Sequence, residues 1–231
     1  MEITYEPTPE SKGVAEVEFD GTRLLVNPEV YEPREDSFLL AKAVQKFARG
    51  RFLDLGCGSG IQGIVAAKKP EVLETLGVDV NEAALKNAEE NALRNGVAAK
   101  CRFAKGALFS ALGEGETFDT IAFNPPYLPT SKGDKVKGII NEAWDGGRYG
   151  RRVINAFLRE FSARLAKGGQ LLFLQSSLAG TRETINTLKK QDFHVAVEGR
   201  EKLFFEELLV LRARRKRETR RKRELEVKGG D

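Results

Sequence analysis

Short apolar runs and longer amphipathic stretches alternate along most of this chain. Strands are predicted at 51–55, 74–80, 100–104, 118–123, 170–175, 193–198 and 204–211, and helices at 61–69, 82–95, 149–165 and 180–190. Ahead of them, Val14–Phe19 and Thr22–Val26 read as two short strands joined by Asp20-Gly21, a hairpin turn signal, and a helix follows at about 35–48. Asn81 is a suitable N-cap for the helix at 82–95 and Gly96 a suitable stop, with Leu85, Ala88 and Ala92 on one face. Residues 128–147 form a polar, glycine-rich loop. Alternation of this kind predicts an α/β fold, a mostly parallel sheet with helices on both faces. The connection between the last two strands is too short for a right-handed crossover, so the final strand is expected to run antiparallel.

Punctuation at the strand ends points to chemistry. The run Phe118–Phe123 is stopped by Asn124-Pro125-Pro126-Tyr127, since neither proline can donate a ladder hydrogen bond. Proline also restricts the residue before it, which holds Asn124 and the Pro125 carbonyl stiffly at a carboxyl strand end, where open α/β sheets bind ligands. Two oxygens, the Asn124 side-chain carbonyl and the Pro125 main-chain carbonyl, suit the two hydrogens of a planar NH2 group, and Tyr127 offers a stacking face. The target is then an amide or a nucleobase amine. A proline-capped strand end with a packed tyrosine is the plainer reading.

A second loop, Leu53-Asp-Leu-Gly-Cys-Gly-Ser-Gly60, follows the first core strand. Glycines let the backbone approach a ligand closely, and the next helix offers free N–H groups. Gly58, Gly60 and Gly63 spell G-x-G-x-x-G, with Asp79 nineteen residues after Gly60, which fits a dinucleotide fingerprint. Two features favour another ligand. Gly58 comes three residues after Leu55 rather than directly after the strand, and Asp54 places a carboxylate that repels pyrophosphate and welcomes an ammonium.

Composition narrows the class. The length of 231 residues fits one α/β domain with appendages, and no apolar run approaches the roughly 20 residues of a membrane span. Cys57 and Cys101 are the two cysteines and His194 the single histidine, which excludes a disulfide scaffold and a Cys/His zinc site and fits a reducing cytoplasm. The acidic start is not a signal peptide. The net charge of +4 is uneven: residues 212–231 hold ten Lys/Arg against four acids, +6, leaving 4 − 6 = −2 for residues 1–211. The expected division is one α/β domain with its N-terminal hairpin and helix at 1–211 and a basic tail at 212–231, a candidate arm for RNA or the ribosome, or a solvated extension.

Asp54–Gly60, Asp79 and Asn124–Tyr127 together resemble class I S-adenosylmethionine-dependent methyltransferases. That resemblance implies a seven-stranded Rossmann-like sheet with an antiparallel last strand. It implies that Asp54 faces the methionine ammonium, that Gly56, Gly58 and Gly60 line the cofactor, and that Asp79 accepts both ribose hydroxyls. Adding Tyr31-Glu-Pro-Arg-Glu-Asp-Ser-Phe-Leu-Leu40 and Glu142-Ala-Trp-Asp-Gly-Gly-Arg-Tyr-Gly-Arg151, the chain resembles archaeal and eukaryotic HemK-like glutamine methyltransferases of class I release factors. The implied substrate is the glutamine amide of a Gly-Gly-Gln motif. The implied cofactor site takes in Tyr31, Glu35, Asp36, Ser37, Ala107 and Asn124 as well. Asn124, Pro125, Pro126 and Tyr127 are the implied catalytic set. One departure stands out: the family's acidic residue for the adenine amine is replaced by Gly106-Ala107-Leu108, so adenine is expected to rest on backbone and apolar contacts. The family also implies a small zinc-binding activator subunit; the strand around Lys100–Ala104, an edge in this sheet order, could receive it, or Lys100, Arg102 and Lys105 could equally protect that edge against pairing.

The runner-up enzyme methylates an exocyclic amine of a nucleobase with the same clamp, although a flipped base needs aromatic stacking and a charged groove. A non-catalytic nucleic-acid binder on a decayed fold is disfavoured by the intact Asp54, Asp79 and Asn124. His194 and Cys57 read as ordinary strand and loop residues. Gly168-Gly169-Gln170 reads as a turn into a strand rather than a self-methylation site, and Trp144 as a residue lining the site.

Overall fold

The computed structural model describes residues 13–128 and 150–216. Seven strands make the main sheet: β3 (Gly50–Leu55), β4 (Val72–Asp79), β5 (Cys101–Lys105), β6 (Phe118–Phe123), β7 (Leu165–Ser176), β8 (Phe193–Lys202) and β9 (Glu207–Arg215). They follow the order β5-β4-β3-β6-β7-β9-β8, and β1 (Ala15–Phe19) and β2 (Thr22–Val26) form a separate hairpin. The pairs from β5 through β7 are all parallel, and β9 is antiparallel to both of its neighbours. This is the architecture that the alternation of elements predicts.

Among the described residues five α-helices cover the sheet: α1 (Glu35–Phe47), α2 (Ile61–Ala67), α3 (Glu82–Arg94), α4 (Arg152–Glu160) and α5 (Thr181–Lys190). The α1–α3 side buries small and branched side chains such as Leu40, Val44, Ile64 and Ala92 against the sheet. The α4–α5 side is built on phenylalanines. Phe157 lies within 4.9–5.6 Å of the rings of Phe109, Phe123, Phe161 and Phe173. Ring clusters of this size fix the strand ends above them, because rigid aromatics interlock at crystal-like density.

The hairpin turn is as expected, with Asp20 at φ 44° and Gly21 at φ 71°. Asn81 caps α3 by accepting from the Ala83 N–H, and Gly96 ends it at φ 70°. The same helix seats the hairpin through an asparagine ladder. The side-chain oxygens of Asn87, Asn91 and Asn95 accept from the Asn27, Leu25 and Arg23 N–H groups, and their amines donate to the Leu25 and Arg23 carbonyls. Spaced four apart, the three amides occupy one helix face and act for the free side of β2 as a neighbouring strand would.

Several boundaries differ from the sequence expectation, and two elements bear on the argument. The helix expected at 149–165 is α-helical over Arg152–Glu160 and tightens to a 3-10 turn at Phe161–Arg164, because β7 already begins at Leu165. The strand expected at 204–211 runs from Glu207 to Arg215, so Arg212, Arg214 and Arg215 belong to the sheet rather than the tail. Arg212 lies over the Phe47 ring at 4.0 Å, donates to Gln170 Oε1 at 2.8 Å and pairs with Glu198 at 3.4 Å. Moving those three charges leaves residues 216–231 with 10 − 3 = 7 basic side chains against four acids, +3 rather than +6. Residues 217–231 lie outside the described part. Among the described residues no helix is long and apolar enough to cross a membrane.

Candidate active site

The carboxyl ends of β3, β4 and β6 lie side by side, with Leu55 paired to Val78 on one flank and to Phe123 on the other. The chain winds outward from β3 through β4 and β5, then returns to β6 on the opposite side. That reversal opens a crevice above β3. The segments leaving these ends carry Gly56–Gly60, Asp79 and Asn124–Tyr127, so the residues singled out in the sequence converge on one place.

The glycine loop turns tightly. Gly56 and Cys57 donate to the Val78 carbonyl at 2.8 and 3.1 Å, and Gly60 donates to the Cys57 carbonyl at 2.8 Å. Gly56, Gly58 and Gly60 hold φ values of 62°, 52° and 85°, in the left-handed region that favours glycine. At Gly60 a Cβ would stand 2.9 Å from Ala88 Cβ on α3, whereas at Gly58 it would meet nothing within 4 Å. The loop is therefore closed toward α3 and open toward the crevice. Asp79, half-buried, accepts from the Gly58 N–H through one oxygen and from the Asn81 N–H through the other, both at 2.9 Å.

Asp54 is 2 % exposed, and Oδ2 accepts from the Gly63 N–H at 3.0 Å. Burial raises its pKa to about 7; the Gly63 bond opposes the rise and the charge of Asp79 adds to it. Burial also pushes the Cys57 thiol well up, which fits an inert loop residue. Nearby, Ser59 Oγ and Gln62 Oε1 are buried without a hydrogen-bond partner among the described residues. An open glycine face, two carboxylates and two orphaned polar atoms fit a ligand carrying an ammonium and hydroxyls better than a pyrophosphate.

Asn124 is oriented by α1. Its Nδ2 donates to Asp36 Oδ2 at 2.9 Å, while its Oδ1 is buried with no hydrogen-bond partner among the described residues. Asp36 itself, 5 % exposed, also accepts from the Tyr31 hydroxyl (3.1 Å to Oδ1 and 3.0 Å to Oδ2), the Ser37 N–H and the Ser37 hydroxyl. Burial and the adjacent Asp36 push the Tyr31 phenol up, so it stays a donor. Ser37 closes the circuit to the glycine loop, since its carbonyl accepts from Gln62 Nε2 at 2.9 Å. Pro125 is buried; Pro126 and Tyr127 are half-buried, and Tyr127 packs between the two sides of the core.

Other sequence candidates fall less centrally. Glu35 is exposed on the first turn of α1. Ala107 is exposed and its N–H already donates to Ser110 Oγ at 2.9 Å, inside a turn where Leu108 takes φ 50°. His194 is exposed on β8, at the far edge of the sheet. Gln170 is fully buried between Phe47 and Arg212, which removes it from any methyl acceptor role. Trp144 and most of the Glu142–Arg151 segment lie outside the described residues. The two described residues that end it are pinned: Gly150, at φ 66°, packs on the Tyr127 carbonyl, and Arg151 donates to the Gly180 carbonyl and Thr184 Oγ1, both at 3.0 Å. The asparagine ladder is the part that sequence reading missed. Its signal, three asparagines spaced by four in one helix, was visible; Asn91 also reaches the Ser59 carbonyl at 3.1 Å and so steadies the glycine loop.

Residues 34–202 match the methyltransferase small domain family. A protein of Methanocaldococcus jannaschii, assigned provisionally by name to protein N5-glutamine methylation, is 44 % identical over 198 residues, covering 85 % of this chain and 98 % of that one. The release factor glutamine methyltransferase of Koribacter versatilis is 34 % identical over 164 residues, 67 % of this chain and 58 % of its own length. Among solved structures, a chain of the E. cuniculi Mtq2–Trm112 complex, described as responsible for methylation of the eRF1 translation termination factor, superposes with a TM-score of 0.63. It is 22 % identical, with 81 % of this chain and 99 % of that chain covered.

Proposed function

The chain belongs to the methyltransferase small domain family and, within it, to the protein N5-glutamine methyltransferases; from that premise we propose that it methylates the glutamine side-chain amide in the Gly-Gly-Gln motif of a class I translation release factor. The observation that carries the reading is Asn124 Oδ1: a buried amide oxygen, rigidly held and without a donor among the described residues, at the switch point of the sheet. A buried acceptor left without a partner costs about 1–3 kcal/mol, and a substrate N–H that bonds to it recovers that cost on binding.

S-adenosylmethionine, when bound, supplies an electrophilic methyl group on sulfur. Gly56, Gly58 and Gly60 would give it room, Asp79 would take the ribose hydroxyls, and Asp54 would balance the ammonium. An amide nitrogen is a poor nucleophile, because its lone pair is shared with the carbonyl. Asn124 Oδ1 and the Pro125 carbonyl would accept its two hydrogens, raise electron density on nitrogen and turn the lone pair toward the methyl. Orientation and electrostatics do the work here, so no strong base is required.

The same reading extends to a small activator subunit. β5 is the outermost strand of the sheet, and Leu93 on α3, 69 % exposed, forms a shallow groove with Ala98, Cys101 and Phe103 that Glu89 and Arg102 also line. The charges that could guard this edge are engaged with the chain itself. Arg102 pairs with Glu74 and Lys105 with Glu82, each at 3.3 Å, and Lys100 donates to the Lys69 and Val72 carbonyls. An edge strand beside a partly apolar groove suits strand addition by another chain, the zinc-binding activator that the family resemblance implies.

The test is methyl incorporation from labelled S-adenosylmethionine into purified release factor, its Gly-Gly-Gln→Gly-Gly-Ala variant, and total RNA, with and without the activator. Label in the wild-type factor alone supports the reading, and label in RNA alone replaces the glutamine with a nucleobase amine.

A further inference from the structure

The carboxylate at the start of α1 holds Asn124 in one of its two possible orientations. An amide side chain is nearly symmetric in shape, and a 180° turn about its last bond exchanges oxygen for NH2. In one orientation Asn124 accepts a hydrogen bond from an incoming amide. In the other it presents two more donors to a group that is itself a donor, and the clamp fails. Nothing within the Asn124-Pro125-Pro126 segment decides between these states.

Asp36 decides it. Its oxygens receive the Ser37 N–H at 2.6 Å, the Ser37 hydroxyl at 3.2 Å, the Tyr31 hydroxyl at 3.0 and 3.1 Å, and Asn124 Nδ2 at 2.9 Å. A carboxylate surrounded by donors is an acceptor only. The reversed Asn124 would set its oxygen against Asp36 Oδ2 at hydrogen-bond distance, with no proton between them, in a site 5 % exposed. We propose that Asp36 is a positioning residue for methyl transfer, which locks the Asn124 amide with Oδ1 toward the acceptor, and that Tyr31 in turn holds Asp36. The inference rests on the glutamine-methylation reading. It reassigns Asp36 and Tyr31 from cofactor contact to control of the acceptor clamp. Asp36 Oδ2 is engaged by Asn124 and Tyr31 and Oδ1 by Tyr31 and Ser37, and among the described residues the hydrogen bonds reach the glycine-loop side from here through Ser37 and Gln62.

Asp36→Asn tests this with minimal change of shape, because an asparagine there can donate or accept and no longer selects an orientation. The expected result is a fall in kcat of about 10- to 100-fold, the size seen when the outer partner of a ligating side chain is lost. The Kd for S-adenosylhomocysteine by calorimetry should stay within about twofold. In an Asn124→Ala background the same change should cost no further rate, since the two act as one unit. A Kd weakened as much as kcat, or an additive loss in the double variant, would overturn the proposal. Should Asp36→Asn not fold, Tyr31→Phe keeps the ring and removes one donor; the expectation is a smaller fall in kcat with unchanged Kd, and wild-type kcat rejects the chain of support. A readout without substrate separates this idea from the functional reading. In 15N-labelled protein the Asn124 side-chain NH2 should show slow exchange and a low-field proton that disappear in Asp36→Asn. If that signature is present while the wild type leaves release factor unmodified, the orientation lock stands and the assigned substrate falls; if it is absent, the lock itself is wrong.

Discussion

Asparagines at two places in this molecule do opposite things. On α3, Asn91 is fully buried and uses both ends of its amide: the oxygen accepts from Leu25, and the amine donates to the Leu25 and Ser59 carbonyls. At the end of β6, Asn124 uses its amine on Asp36 and leaves its oxygen without a donor among the described residues. The first arrangement has no capacity left for a ligand and holds the hairpin to the body. The second keeps one acceptor in reserve at the mouth of the crevice. A buried polar group with all its bonds made is architecture; one with a bond withheld is a candidate for chemistry.

The contrast is broken most severely at Asn124. Asn124→Ala should lower kcat by roughly 10² or more, because it removes an interaction made mainly in the transition state, while thermal stability and S-adenosylhomocysteine affinity change little. Near-normal turnover would put Asn124 in the same structural class as Asn91. The reciprocal experiment is Asn91→Ala, which strands the Leu25 N–H and the Ser59 carbonyl. A loss of roughly 2–3 kcal/mol in chemical denaturation is expected, with kcat per folded molecule retained within a few-fold. A variant as stable as the wild type would show that the ladder does not seat the hairpin.

The two carboxylates of the crevice sharpen the same distinction. Asp79 is half-buried and already bonded to two loop N–H groups, so Asp79→Ala should weaken S-adenosylhomocysteine binding by about 1.5–3 kcal/mol in calorimetric titration and loosen the glycine loop as well. Binding of NADH in place of S-adenosylhomocysteine would restore the dinucleotide reading of Gly58–Gly63. Asp54 should give the smallest effect, seen through pH. Its folded pKa lies near 7, above the usual 3.8, so the folded state holds this proton more tightly and Asp54 lowers stability as pH rises from about 4 to 7. Binding an ammonium favours the ionised form, so affinity for S-adenosylmethionine should move the other way and be about tenfold weaker at pH 6 than at pH 8. Calorimetry in buffers of different ionisation enthalpy should detect a proton released on binding near pH 6.5; a pH-independent affinity would place the ammonium away from Asp54.

Much of this was written in the linear chain. Hydrophobic periodicity determined the order of strands and helices, Asp20-Gly21 the hairpin turn, and the short β8–β9 connection the antiparallel last strand, because these are local properties of spacing and backbone freedom. The prolines after Asn124 and the glycines after Asp54 likewise marked the strand ends that border the crevice. Sequence stopped short at the carboxyl end of the domain, since a run of arginines looks the same whether it is solvated or, like Arg212, lies on Phe47 within a strand. It also stopped short at the contents of the site. Asp36 lies 88 residues from Asn124 and the α3 asparagines more than 60 from the strand they seat. Whether an amide is satisfied, and which of its two ends faces the crevice, depends on donors brought from distant parts of the chain. Local pattern thus marked where the candidate site lies, and tertiary packing alone decided which of its polar atoms are left without a partner among the described residues.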